Sequence, residues 1–424
     1  MERSRPGAAG RAWAAAAFAR RAGAALGFGF LLAFSSAVGQ SYFLGLFGAE
    51  IRAGLALSHG EFGLIYAVAT LASATALLFT GKLADRLSPH AAGALTAVWL
   101  SGACVLMAFA AHPLMLLAAL FALRLGGQGM MSHIALTTLG RWFTTQRGRA
   151  VAIATLGFPA AEAALPPLAA LGVLHLGLTP VWLIAAVILL AGVAPLAVIL
   201  SKSASRALAR SRAETGGADT HGPAPVSWTR SQVLKDPRFY ALCPSLLAAP
   251  FIVTGVVFHQ ARLAEAKGWT LPEFAALFPL FAGAAVTAGL VMGAVADRFG
   301  ARGVLPVFLA PLGAALVVFS LTDALAAAGL AMALMGLTAG GTTVLFGTVW
   351  AELYGPDHLG AIRALAVSLM VVATALAPAV LGVLIDRGVS LEAQFLTLSA
   401  YIGVCTAILL RFRTGFIPRP PARA

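Results

Sequence analysis

The chain has 424 residues, of which 60% are hydrophobic and only 11% are charged. A soluble domain carries roughly 25% charged residues, so this composition excludes an ordinary soluble fold. The formal net charge is +13, but the basic residues form short clusters between apolar runs and not one continuous basic face, which argues against a nucleic-acid-binding protein.

Apolar runs recur along the whole chain, and a run of about 20 residues is long enough to cross a bilayer as a helix. The first run follows an arginine-rich segment and continues past the length of a signal peptide, so we interpret it as a retained helix. We predict twelve membrane-spanning helices, at residues 24–47, 63–82, 91–111, 114–140, 149–172, 179–200, 239–261, 273–295, 303–321, 325–350, 361–385 and 393–412.

One long polar segment divides these spans into two groups of six. It is rich in Ser, Gly, Pro and Arg, and we predict a linker there with a short amphipathic helix around Ser203–Arg212. The predicted organisation is an N-terminal tail (1–23), a first six-helix half (24–200), the linker (201–238), a second six-helix half (239–412) and a C-terminal tail (413–424).

The distribution of Lys and Arg predicts the orientation in the membrane. The termini, the linker and the loops on their side carry most of the basic residues, whereas the opposite loops keep only Arg52, Arg262, Lys267 and Arg387. Because basic loops stay in the cytoplasm, we expect a multi-pass protein of the cell's inner membrane with both termini cytoplasmic. Its expected surroundings are the lipid bilayer, and we expect a monomer.

A short motif occurs once in each half, as GKLADR at Gly81–Arg86 and as GAVADR at Gly293–Arg298. The same offset relates Pro166 to Pro378. Two six-helix halves related by an axis along the membrane normal are a known transporter architecture, in which the substrate binds between the halves near mid-membrane. The repeat therefore indicates a transporter.

At these motifs the sequence resembles the major facilitator superfamily, and the resemblance covers nearly the whole chain. The family's loop between helices 2 and 3 reads approximately G-x-L-A-D-R-x-G-R-R; GKLADRLSPH keeps its first half and GAVADRFGAR is closer to it. The resemblance implies an all-α membrane protein with two halves about a pseudo-two-fold axis, and transport by alternating access. It also implies a cytoplasmic clasp that locks the outward-facing state, formed by Gly81, Asp85, Arg86, Gly293, Asp297, Arg298 and Arg141.

A shorter resemblance concerns the branch within the family. RWFTTQRGRAVAIA at 141–154 is similar to the oxalate/formate and monocarboxylate carriers, and RLGGQG at Arg124–Gly129 is similar to the family's helix 4 pattern. Against that branch, residues 274–295 of the eighth predicted span contain no charge. The helix 5 pattern of drug antiporters is not met either, since the chain reads GFPAAEAALPP there.

Two strongly ionised residues lie deep in the predicted spans, Arg124 in the fourth and Glu162 in the fifth. An ionisable side chain inside the membrane is costly unless it is paired, which makes it a functional candidate. Both lie roughly 20–25 Å from the loop that joins their helices, so they could pair. Either Arg124 holds a substrate carboxylate or responds to protonation of Glu162, or the two form a structural ion pair.

Further polar residues are candidates for substrate binding or proton coupling. Gln128 lies four residues after Arg124 and so on about the same helix face. Gln40 and Tyr42 make the first span polar in its outer half, and His259 and Gln260 lie near the outer end of the seventh. For these two pairs the alternative is an ordinary packing or interfacial role.

The main prediction is a secondary transporter of a small organic solute, with protons as the simplest coupling ion. Arg124 favours an organic anion such as a monocarboxylate, and the alternative is efflux of drugs or other hydrophobic compounds. The chain lacks the phosphate-binding pattern of an ATP-driven pump. We see no catalytic or metal-ligand pattern, so we expect no enzyme, no cofactor and no metal; a transporter-fold sensor or an intramembrane enzyme is a weaker alternative.

The predicted clasp is tested by replacing Asp85 with Asn. Loss of the charge should weaken the cytoplasmic contacts and shift the population towards the inward-facing state. We expect cysteine probes at the cytoplasmic ends of the helices to react faster in this variant than in the parent protein. Unchanged reactivity would argue against the clasp.

Overall fold

Helices make up almost all of the structure, a computed structural model that describes residues 8–143, 147–214, 228–355 and 358–411. Within these ranges there is no strand, eleven helices are long and apolar enough to cross a membrane, and a shorter apolar helix completes a set of twelve. In chain order we name them α1 (Ala22–Leu46), α2 (His59–Lys82), α3 (Pro89–Ala108), α4 (Pro113–Trp142), α5 (Arg149–Leu176), α6 (Leu178–Ala207), α7 (Pro237–Phe258), α8 (Leu271–Ala296), α9 (Ala310–Leu321), α10 (Leu325–Tyr354), α11 (Ile362–Asp386) and α12 (Leu391–Leu410).

Each predicted span coincides with one of these helices, so the predicted all-α fold is confirmed. The ninth helix is shorter than expected, since α9 begins at Ala310 and the span was predicted to begin at residue 303. Pro306 has no N–H to donate and cannot continue the short helix Ala301–Val304. The chain turns there and restarts with Pro311 in the first turn of α9, a position that proline favours.

The helix of α6 continues beyond the membrane-length segment. Its last part runs over Ala194–Glu214, so the helix expected at Ser203–Arg212 is an extension of α6 and not a separate element. Residues 215–227 of the predicted linker lie outside the described ranges. A short helix at Arg230–Val233 then leads into α7.

Two irregular segments, one in α1 and one in α4, pack against each other. In α1 a 3₁₀ turn at Ser36–Gly39 is followed by Gln40 in an extended conformation. In α4 the segment Arg124–Met131 forms π-helical turns, which often mark functional regions. A Cβ on Gly127 would lie 2.7 Å from the Cα of Gly39, so this close contact requires glycine at both positions.

The two halves pack tightly at one end of the bundle. We call the end where α1 begins and α12 ends the terminal face, and the other end the opposite face. Glycines at the opposite face lie so close to the other half that an added Cβ would come within 2.5 Å of a carbonyl oxygen; the pairs are Gly45 with Val257, Gly63 with Pro378, and Gly382 with His59. These contacts close the opposite face.

The last residue of α11 also joins the halves at this face. The Asp386 carboxylate accepts hydrogen bonds from the backbone N–H groups of His59 (3.0 Å) and Gly60 (2.7 Å). These N–H groups begin α2 and have no partner inside their own helix. A carboxylate at a helix N-terminus is also favoured by the helix dipole, so Asp386 stabilises the closed arrangement.

A buried lysine fastens three loops of the second half at the opposite face. The Lys267 side chain is only 3% exposed, and its Nζ lies 2.8 Å from Asp323 Oδ1 and 2.9 Å from Glu392 Oε1. Lys267 follows α7, Asp323 precedes α10 and Glu392 begins α12. This ion-pair network joins the segments next to α7, α10 and α12 at the opposite face.

Replacing Lys267 with Met should lower the thermal stability of the detergent-solubilised protein. We expect a loss of about 1–3 kcal/mol, less than for a fully buried pair because Asp323 is mostly exposed. Thermal unfolding would measure the shift of the midpoint. The matched control is Lys235→Met, since Lys235 is exposed; an equal shift in both variants would show that the network contributes no stability.

Candidate functional site

A cavity of about 540 Å³ lies between the two halves, among α1, α5, α7, α8 and α10. Its wall is mainly aliphatic and aromatic. The polar or ionisable side chains in the wall are Gln40, Ser41, Tyr42, Thr155, Glu162, Thr254 and Thr343. A concave, mostly apolar site with a few polar groups is typical of small-molecule binding.

The cavity extends towards the terminal face. It reaches Ala152, near the start of α5, and in the other direction it ends at Tyr42 and Val257. There the Gln260 side chain donates a 2.7 Å hydrogen bond to the Tyr42 carbonyl across the two halves. The opposite face is closed directly beyond this point, so the structure represents the state whose cavity points to the terminal face.

Glu162 is positioned by the packing of α5 on α1. Regular helix in α5 resumes at Gly157 after an irregular turn, and a Cβ at Gly157 would collide with the backbone carbonyl of Phe30. This contact holds the start of the regular helix against α1, and Glu162 on the following turn lines the cavity. Among the described residues no hydrogen bond or ion pair reaches the Glu162 carboxylate; Tyr42 lies near enough for an electrostatic interaction.

Arg124 lies inside the first half, away from the cavity wall. Its side chain is buried, and it donates from Nε to Thr70 Oγ1 (3.1 Å) and from Nη1 to the Gly39 carbonyl (2.9 Å). The guanidinium carbon lies 5.1 Å from the centre of the Tyr66 ring, in reach of a cation–π interaction. Arg124 therefore connects α4 with α1 and α2.

The structure does not bring the two deep charges together. Arg124 and Glu162 form no ion pair in this conformation, because the π-helical turns direct Arg124 towards α1 and α2 while Glu162 faces the gap between the halves. Similar depth along two helices, which the sequence predicted, does not fix the direction in which a side chain points.

The other predicted site residues fall into three places. Gln40 and Tyr42 line the cavity. Gln128 is half-buried and does not form part of the cavity wall. His259 and Gln260 are buried in the closed contact at the opposite face, where His259 Nε2 donates to the Pro378 carbonyl (2.9 Å).

The motif glycines make no close helix contacts in this conformation. A Cβ on Gly81 would lie 3.6 Å from His133, an ordinary contact distance, and a Cβ on Gly293 would meet nothing within 4 Å. The glycines that do permit close approach lie elsewhere, for example at Gly39 and Gly63.

The charged residues of the predicted clasp lie at the ends of their helices that reach the terminal face. Arg86, Arg298 and Arg141 are exposed. The Arg298 guanidinium lies 5.3 Å from the Phe299 ring, and Arg141 also takes part in an interaction. The side chains of Asp85 and Asp297 lie outside the described parts of the chain, so the clasp stays a prediction.

Much of the cavity wall was not predicted from the sequence. Thr155, Thr254 and Thr343, together with the aromatic rings of Phe278 and Phe281, line it. In a span that is apolar on every side, the hydrophobic period gives no signal for the face that points to the cavity.

Comparison with known proteins places the chain in a family. The model of the Major Facilitator Superfamily matches residues 29–378 and 253–424. No curated protein matches the sequence. Among solved structures, the nucleoside transporter NupG aligns with a TM-score of 0.67 and 14% identity, covering 91% of this chain and 98% of that one.

A bacterial homologue of the human lysosomal transporter Spinster, described as inward-facing and occupied, is also similar. It aligns with a TM-score of 0.65 and 16% identity, covering 94% of this chain and 98% of that one. At these identities the likeness concerns the fold alone, whereas the family match covers most of the sequence. The chain belongs to the Major Facilitator Superfamily and is a multi-pass membrane transporter of a small solute.

Proposed function

We propose that this protein is a proton-coupled secondary transporter in which Glu162 is the protonation site and the central cavity binds a small organic solute. The observation that carries the proposal is a carboxylate in the wall of a mid-membrane cavity without a hydrogen-bond or ion-pair partner among the described residues. An isolated carboxylate in such surroundings is unfavourable. Binding a proton removes that cost.

Alternating access is supported by the way the halves meet. At the opposite face the close glycine contacts and the Asp386 cap hold the halves together, while the cavity extends to the terminal face. These contacts lie at one end, so a rocking motion of the halves can break them and expose the cavity on the other side. Glu162 would then be accessible from one side of the membrane and from the other in turn.

The orientation that we propose has the terminal face in the cytoplasm. The support is the concentration of Lys and Arg in the loops at that face, as the positive-inside rule requires. In this orientation the structure is an inward-facing state, and we infer a place in the inner membrane.

The cavity gives more support to an amphiphilic or hydrophobic solute than to a monocarboxylate. The expectation of an anion rested on Arg124, and that side chain is buried inside the first half with acceptors of its own. The largely apolar wall instead supports the alternative, transport of drug-like or other hydrophobic compounds.

Glu162→Gln should separate transport from the proton gradient. Gln has a similar shape but cannot exchange a proton, so accumulation driven by a pH gradient should fall to the background rate. Solute exchange across proteoliposomes without a gradient should persist at a solute concentration that saturates the cavity, because the shape of the cavity and the gate contacts are unchanged. Both rates can be measured on the same preparation with radiolabelled solute.

The matched control is Gln128→Asn, a conservative change outside the cavity wall that should keep gradient-driven transport. If Glu162→Gln still accumulates solute in response to pH as the parent does, Glu162 is not the coupling site.

A glycine substitution tests the closing contact. An added methyl group in Gly63→Ala would meet the Pro378 carbonyl at 2.5 Å and should open the opposite face. We expect a cysteine placed at Ser41, in a background without the native cysteines, to react faster with a membrane-impermeant reagent added at that face.

The control is Gly54→Ala, where a Cβ meets nothing within 4 Å. Equal reactivity of the Ser41 cysteine in the two glycine variants would contradict the assignment of Gly63 to the gate.

A further inference from the structure

We propose that the cavity selects an organic cation, an ammonium group carried on an aromatic or aliphatic body. This inference rests on the proposed function, since it names the substrate class of the same cavity. It follows from three properties of the wall: its charge, its aromatic rings and the direction of its hydrogen bonds.

The charge of the cavity is negative. Glu162 is the one acidic residue among the described residues that form the wall, and no Lys, Arg or His occurs among them. The buried cation of the first half, Arg124, is engaged by Thr70 and the Gly39 carbonyl. A solute anion would therefore meet an uncompensated carboxylate, whereas a cation would neutralise it.

Aromatic rings line the same cavity as this carboxylate. Tyr42, Phe158, Phe278 and Phe281 all belong to the wall. The ring centres of Tyr42 and Phe278 are 6.0 Å apart, and those of Phe278 and Phe281 are 6.5 Å apart. Aromatic faces attract ammonium groups, most strongly where water is excluded, and they also pack against an apolar solute body.

Two of the hydroxyl groups of the wall offer only acceptors to a solute. Thr155 and Thr343 donate their hydroxyl protons to the helix carbonyls of Ala152 and Ala339. Their free lone pairs can accept from an ammonium N–H, but they have no proton left for a carboxylate. The remaining side-chain donors of the wall are Gln40, Ser41 and Tyr42, which are adjacent in sequence on α1, and Thr254 on α7.

A cation and a proton would then compete for the same carboxylate. When the cation binds, Glu162 releases its proton, and when the cation leaves, the carboxylate can be protonated again. The transporter would change between its inward-facing and outward-facing states with either the cation or a proton bound to Glu162. It would therefore exchange an organic cation for a proton.

The test compares ligands of one shape and different charge. The probes are 2-phenylethylammonium, its quaternary trimethyl form, 2-phenylethanol and 3-phenylpropionate, and their affinities for the detergent-solubilised full chain are measured by calorimetry at several pH values. We expect both cations to bind most tightly, the alcohol more weakly and the carboxylate not at all. Cation affinity should fall as the pH is lowered, because protons displace the cation from Glu162.

Variants at Glu162 identify the source of the preference. Glu162→Gln should lose roughly 10- to 100-fold in affinity for the cations, as expected for loss of a charge-assisted contact, and should keep its affinity for the alcohol. Retained alcohol binding shows that this variant is folded. Glu162→Asp keeps the charge and should keep the order of affinities.

Three outcomes would overturn the inference: tightest binding of the carboxylate, an unchanged cation preference in Glu162→Gln, or no cation binding at millimolar concentration. The transport assays separate this inference from the proposed function. A Glu162-dependent cation preference without proton-driven transport would refute the proposed proton coupling and support the proposed substrate class. Proton-driven transport of a carboxylate would support the coupling and refute the substrate class.

Discussion

A carboxylate inside an apolar, membrane-embedded cavity is the constraint on which the account depends. Glu162 lines the central cavity, and among the described residues it has neither a hydrogen bond nor an ion pair. Such a group must bind a proton or another cation, or be exposed to water, because an isolated charge in low dielectric is strongly unfavourable. This need for a partner is the reason for our proposal that transport is coupled to an ion.

The bundle is closed at one end, so the cavity that contains Glu162 extends towards the other end. At the opposite face, backbone contacts at Gly45 and Gly63 and the Asp386 cap leave no room between the halves. The ion-pair network around Lys267 lies within the second half alone and does not cross between the halves. Opening this face need not break the network, so the cost of opening falls on the contacts across the interface.

The fold was predictable from the sequence because length and apolarity decide what can span a bilayer, and the repeated GKLADR and GAVADR segments revealed two halves. The site was less predictable. Glu162 could be identified because charge is rare in a membrane helix. The partners of Arg124 could not, because they depend on a 3₁₀ turn in α1 and π-helical turns in α4 that no local sequence pattern predicts. Wall residues such as Thr254 and Phe281 were missed because their helices are apolar on every side.

The most direct test of the central claim is to count protons when solute binds. An unbuffered solution of the purified protein is titrated with a ligand that carries a fixed positive charge, and the pH is recorded near neutrality. We expect binding to release protons from the parent protein and none from Glu162→Gln when the same fraction of each protein is saturated. Equal release from the two proteins, or binding without release across the whole titratable range, would contradict the role given to Glu162.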